Sequence, residues 1–273
     1  MRPRHIVTVA SLVAALVAVP TVVALASHPT VATTATAQAA RIAAAQIREL
    51  QHTPHQVLTG VVGADVGGAV TFAYAGDSIT ARPGSWLRDL AADTTDTGVH
   101  ALGGYAHSGN RTDQVLARMP AVPGADVLVV ELGTNDVNQG VPTTRILRNI
   151  DTLVAHQSAP HVLLIAAPPS NHTSSLWGVD RRTENRVLDR ALAADAQQHG
   201  WSYADPFAAD RASDDGWLPG TSADGIHPTT AANVAIAGEF ATAIRAAAGR
   251  GTTGNDTGTA GDTSVSETAV TTN

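Results

Sequence analysis

Val127-Leu128-Val129-Val130-Glu131-Leu132 runs straight into Gly133-Thr134-Asn135-Asp136. A run of β-formers that is apolar almost throughout, without alternation, marks a strand covered on both faces. Working outward, Val70 to Ala75 is a second such strand, ended by Gly76, and Val162 to Ala167 a third, stopped by Pro168-Pro169. Val99 to Leu102 and Ser202 to Ala204 are weaker candidates. Helical patterns lie between them. They cover Trp86 to Ala92, Asp113 to Met119, a segment after Pro142 carrying Ile146, Leu147, Ile150, Leu153 and Val154, about Thr183 to Gln198, and Thr229 to Ala248. Buried strands alternating with helices predict an α/β fold: a three-layer α/β/α sandwich around a mostly parallel sheet.

The flanks differ in composition. Arg2 and Arg4 precede an apolar stretch from Ile6 to Ala26, which closes on Ala24-Leu25-Ala26 before Ser27. That pattern reads as a secretory signal peptide over residues 1–26, with an uncleaved membrane anchor as the alternative. Residues 27–66 read as a linker with a short helix near Ala39 to Leu50. The domain is expected over 67–248, and residues 249–273, almost without apolar side chains, as a disordered tail. Gly60, Gly63, Gly67 and Gly68 miss the G-x-G-x-x-G spacing and read as turns.

Composition excludes several functions. The 273 residues include no cysteine, so disulfides, thiol nucleophiles and cysteine-ligated metals are ruled out. A formal charge of −7 argues against a nucleic-acid partner held by phosphate neutralisation. All basic residues are Arg, a bias of the kind a GC-rich bacterial genome imposes.

In a parallel open sheet, sites form at the carboxyl ends of the strands. Gly76-Asp77-Ser78-Ile79-Thr80 follows one strand there, and Gly133-Thr134-Asn135-Asp136 another. Asp224-Gly225-Ile226-His227-Pro228 precedes the last helix. A serine hydroxyl needs a base to take its proton, and His227 is suited to that near neutrality. A carboxylate at Asp224, three residues earlier, can reach its imidazole and fix the tautomer. The oxyanion that forms needs donors, for which the candidates are the backbone N–H of Ser78 and the Asn135 amide. Asp77 and Asp136 read as acceptors that hold loops.

These blocks resemble the SGNH hydrolases, the GDSL esterase/lipase family. Gly76-Asp77-Ser78, Gly133 with Asn135 and Asp136, and Asp224 with His227 match three of its motifs. Ser108-Gly109-Asn110 is the best match to the remaining block, with Gly103 and Gly104 as competitors. The resemblance covers about residues 70–240. It implies a flavodoxin-like SGNH hydrolase fold and a serine esterase with catalytic Ser78, His227 and Asp224. It further implies an oxyanion hole of Ser78, Gly109 and Asn135, and no metal or cofactor. Short acyl esters or acetylated carbohydrate are favoured as substrates. Long-chain lipid hydrolysis and acyl transfer are the alternatives within the family, and a non-catalytic glycan-binding module the alternative outside it. The expected protein is a secreted monomer without nucleic-acid partners or lasting membrane association.

Other residues invite weaker readings. His52 and His55 form H-x-x-H without a third ligand nearby, so metal binding there is not expected. His107 reads as a pocket-lining or an exposed loop residue. Trp86, Trp177 and Trp217 read by default as core packing or helix docking. The loop Ser170 to Asp180 reads as a substrate-facing insertion.

Overall fold

The computed structural model describes residues 56–64, 67–92 and 97–249. The signal-peptide, linker-helix and H-x-x-H readings fall outside these residues, as does the tail beyond 249. Six strands form one sheet: β1 (Val57–Thr59), β2 (Val70–Gly76), β3 (Val99–His107), β4 (Val127–Glu131), β5 (His161–Ile165) and β6 (Ser202–Ala204). Their order is β1-β3-β2-β4-β5-β6, parallel except for β1, which pairs antiparallel with β3. The five parallel strands follow the flavodoxin-like order, in which connections diverge between the first and third of them. That switch point lies between β2 and β4, so the chain leaving each delivers its side chains to one crevice.

Seven helices complete the described secondary structure, apart from one short 3₁₀ turn: α1 (Ser78–Ala81), α2 (Trp86–Ala92), α3 (Thr112–Leu116), α4 (Thr134–Asn138), α5 (Thr143–Ala155), α6 (Arg181–His199) and α7 (Thr230–Gly249). The pleat divides the strands between two cores. Phe72, Tyr74, Val127, Val129, Leu163 and Ile165 face α2 and α7, where the Trp86 and Phe240 rings stack 3.8 Å apart. Leu128, Val130, Val162 and Leu164 pack on the other side with Ile146 and Ile150 of α5 and Leu188 and Leu192 of α6. Each layer is therefore apolar toward the sheet, which explains why the central strands show no alternation. Among the described residues no helix is long and apolar enough to cross a membrane.

Two expectations need correction. The sheet begins at Val57, ahead of the expected domain start at 67: β1 pairs with Tyr105–His107, and Tyr74 Oη donates to Gly60 O at 2.9 Å. A three-residue edge strand is too short to show periodicity. β3 does not stop at Leu102 but continues through Gly103-Gly104 to His107, with a register shift opposite Phe72/Ala73. Gly104 is required there by close approach, because a Cβ would run into the Tyr74 carbonyl. The polar segments after β2 and β4 form the one-turn helices α1 and α4.

Candidate active site

Ser78 is the first residue of α1, directly beyond the end of β2. Asp77 caps that turn: its Oδ1 accepts from Ile79 N–H at 3.0 Å. The cap turns the chain sharply and leaves the Ser78 side chain buried at the strand end. There Ser78 Oγ lies 2.9 Å from His227 Nε2, across 149 residues of sequence. His227 Nδ1 in turn lies 2.7 Å from Asp224 Oδ2. A carboxylate only accepts, so Nδ1 carries the hydrogen and Nε2 is left to accept from the Ser78 hydroxyl. The arrangement can move a proton from Ser78 Oγ to the imidazole and hold the resulting cation against Asp224.

Local hydrogen bonds set the Asp224–His227 spacing. Asp224 Oδ1 accepts from Ile226 N–H at 2.9 Å and His227 N–H at 2.8 Å, which folds the loop over the carboxylate. Burial alone would raise the Asp224 pKa. The His227 hydrogen bond and charge, with these backbone donors, instead hold it well below the usual carboxylate range. The loop is stitched to its neighbours at three successive carbonyls. His172 Nε2 donates to Asp224 O at 2.9 Å, Asn171 N–H to Gly225 O at 2.8 Å, and Trp217 Nε1 to Ile226 O at 3.2 Å. Asn171 and His172 thus make the start of the Ser170–Asp180 loop a support for the histidine, while Leu176 and Trp177 stand exposed.

Asn135, on α4, reaches the same crevice from β4. Gly133 begins that turn with φ +117°, and a Cβ there would lie 2.6 Å from Leu188 Cδ2, so only glycine fits. Asn135 Nδ2 donates to Asp77 Oδ2 and to Asn110 O, both at 3.0 Å. One side chain therefore ties the neighbour of Ser78 to the neighbour of Gly109. Gly109 sits in the loop after β3 with φ +80°, while Gly103 and Gly104 lie within the strand. Asp136 holds α3 as expected, accepting from Thr112 N–H at 2.8 Å and Thr112 Oγ1 at 2.7 Å. His107 ends β3, its Nδ1 2.8 Å from Ser108 O. Trp86 and Trp217 are core residues, but Trp177 is 48% exposed and departs from that default.

The structure adds residues that the motifs do not name. Beneath Ser78 lies a buried polar layer. Glu131 Oε2 accepts from Thr80 Oγ1 at 2.9 Å and lies 3.4 Å from Asp77 N. Burial pushes the Asp77 carboxyl up to about 7, against the pull of Ile79 N–H and the Arg181 charge. Burial, and then the Asp77 charge, raise Glu131 well above its usual range. Buried Arg181 donates from Nε to Thr134 Oγ1 at 3.0 Å. At the surface, Arg82 Nη1 approaches Asp224 Oδ2 at 3.4 Å. A lone carboxylate in an apolar strand, Glu131, was the one sequence signal of this layer. A cleft of ≈ 190 Å³ beside Ser78 and His227 is lined by polar groups that include Arg82, Ser85, Thr229, Thr230 and Asn233.

Residues 74–235 match the GDSL-like Lipase/Acylhydrolase family. No curated protein matches the chain. Several solved structures share the fold. A candidate acylhydrolase of Bacteroides fragilis superposes with a TM-score of 0.53 at 19% identity, over 74% of this chain and 94% of that one. A GDSL-like lipase of Bacteroides thetaiotaomicron gives 0.53 at 18%, over 68% and 93%. A candidate lipolytic protein of the G-D-S-L family from Desulfitobacterium hafniense gives 0.52 at 13%, over 64% and 99%. The matched segment takes in Ser78, Asn135, Asp224 and His227 and spans more than half of the sequence, and the chain belongs to the GDSL-like lipase/acylhydrolase family of serine ester hydrolases.

Proposed function

We propose that the protein hydrolyses carboxylic esters through Ser78, His227 and Asp224. The observation that carries this reading is the hydrogen-bonded series Ser78 Oγ–His227 Nε2 and His227 Nδ1–Asp224 Oδ2, at 2.9 and 2.7 Å. Ser78 Oγ attacks the ester carbonyl carbon as its proton passes to His227 Nε2, and the carbonyl oxygen becomes an oxyanion. Collapse breaks the bond to the alcohol, which leaves with the proton from His227. Water then attacks the acyl-serine, gives its proton to His227, and the acid departs as Ser78 Oγ regains a proton. Asp224 orients the imidazole and offsets its charge throughout.

The oxyanion is assigned to the backbone N–H groups of Ser78 and Gly109 and to Asn135 Nδ2. Both Asn135 N–H groups already have acceptors in Asp77 and Asn110, so the oxyanion shares a hydrogen with one of them. Those bonds hold the amide in place before substrate arrives, and such preorganisation is what makes a donor effective.

Short acyl esters or acetylated carbohydrates are the favoured substrates. The polar cleft beside Ser78 and His227 and an aromatic content of only 4% support this reading. The charged start, apolar stretch and Ala-x-Ala close of residues 1–26 support export, with the mature enzyme acting as a secreted monomer. The test is a p-nitrophenyl ester series of increasing acyl length, run beside acetylated glycans with product analysis. Acetyl or butyryl esters turned over fastest, with free acid as product, are expected. A preference for long acyl chains, or acyl transfer to an added alcohol in place of acid release, would overturn the substrate assignment. Glycan binding by a protein inactive on every ester would overturn the catalytic one.

A further inference from the structure

On the face of the sheet covered by α5 and α6, three side chains converge that the hydrolytic site does not use. Asp195 and His199 stand one turn apart on α6, and Asp151 meets them from α5. One ligand atom from each lies within 4.8 Å of the other two. His199 Nε2 is 3.7 Å from Asp151 Oδ1 and 3.8 Å from Asp195 Oδ1.

These separations are too long for hydrogen bonds, which close at about 2.7–3.2 Å. They are near the edge of a ligand tetrahedron around zinc: with bonds of about 2.0–2.2 Å the edge is about 3.4 Å. One oxygen of each carboxylate also lacks a hydrogen bond. Asp151 Oδ1 and Asp195 Oδ2 are buried oxygens without a hydrogen bond, and the Asp195 side chain is only 10% exposed. The Asp151 side chain is 41% exposed, so the cost of burial falls on Asp195, whose buried oxygen lacks a donor, and a cation beside it would remove that cost. The imidazole is already oriented: Gly200, with φ +72°, caps α6 beyond His199, and the chain returns Trp201 to stack on the His199 ring at 4.3 Å. One imidazole with two carboxylates suits a borderline divalent ion better than Mg²⁺ or Ca²⁺, which take oxygen ligands alone.

We infer that Asp151, Asp195 and His199 form a site for a borderline divalent cation of the zinc class, which staples α5 to α6. Arg181, at the start of α6, touches Thr134 beside the active site. His199 ends the same helix about 27 Å further along its axis, so the ion takes no part in ester chemistry. In a chain without cysteine, such a staple does the work that a disulfide does elsewhere.

The test is Co²⁺ and Zn²⁺ titration of the full chain, reading Trp201 fluorescence and melting temperature, with Asp195→Asn and His199→Gln beside wild type. Saturable binding at micromolar metal is expected, with fluorescence quenching by Co²⁺ and a Tm rise of roughly 5 °C at a hundredfold excess over Kd. Both variants should lose the response, Mg²⁺ and Ca²⁺ should produce none, and turnover of p-nitrophenyl acetate should not follow metal occupancy. His199 is partly exposed, so His199→Gln folds even if Asp195→Asn repacks. Binding absent up to millimolar metal, an equal response to Mg²⁺, or an unchanged response in His199→Gln would overturn the assignment.

Discussion

Arg82 and His227 share one oxygen of a single carboxylate: Asp224 Oδ2 lies 3.4 Å from Arg82 Nη1 and 2.7 Å from His227 Nδ1. The guanidinium draws on the same negative charge that stabilises the imidazolium. Arg82→Gln should therefore leave His227 protonated to higher pH. The acidic limb of kcat/KM, expected at about pH 6–7 for a histidine base, should move upward by a fraction of a unit. Plateau kcat should change by less than about fivefold, because Arg82 is partly exposed and its charge is screened. An unchanged limb, or one moved to lower pH, would show that the contact does not act on His227.

Asp224 performs two tasks through two oxygens. Oδ1 holds the loop through Ile226 and His227 N–H, while Oδ2 meets the imidazole. Asp224→Asn retains an acceptor for the loop and removes the charge. It should fold normally, with Tm within a few degrees of wild type, and lose about 10²–10⁴ in kcat. A variant that unfolds, or one with nearly full activity, contradicts this division of labour.

Asn135→Ala removes a donor from two acceptors at once, Asp77 Oδ2 and Asn110 O. The expected loss in kcat is about 10²–10³, the usual effect of one oxyanion donor. Stability should also fall, by about 1–3 kcal/mol, because a buried carboxylate loses its partner. Urea unfolding beside steady-state kinetics separates the two effects. A loss in stability with full activity would make Asn135 a strut and not an oxyanion donor.

The buried Glu131 sets a pH dependence of stability. Its carboxyl, like that of Asp77, is raised by burial in the folded chain. In the unfolded chain a glutamate releases its proton at about pH 4.3. Between that point and the raised folded value the unfolded state has lost a proton that the folded state keeps, so stability falls as pH rises. Glu131→Gln keeps an acceptor for Thr80 Oγ1 and removes the titration. Its gain in Tm over wild type should be larger at pH 8 than at pH 5. An equal gain at both, or a loss at both, would contradict the assignment.

The central strands and long helices were legible because burial on both sides leaves apolar runs, as at Val127–Leu132 and Val162–Ala167. Ser78, Asn135, Asp224 and His227 were legible because each sits in a short motif at a strand end or before a helix. Much of what supports them was not. Arg82 meets Asp224 across 142 residues, and His172 reaches the Asp224 carbonyl across 52. Contacts of that span depend on loop placement, which no local pattern encodes. The edge strand Val57–Thr59 is too short to carry periodicity, and Gly103-Gly104 reads as a break when it is the close approach of two strands.

The most direct test of the central claim is intact-mass analysis after reaction with a fluorophosphonate, which phosphonylates only an activated serine. One adduct per chain is expected, mapped to Ser78 by peptide sequencing, at a rate that parallels loss of esterase activity. It should be absent in Ser78→Ala, whose circular dichroism matches wild type. An adduct on another serine, or ester hydrolysis retained in Ser78→Ala, would contradict the account.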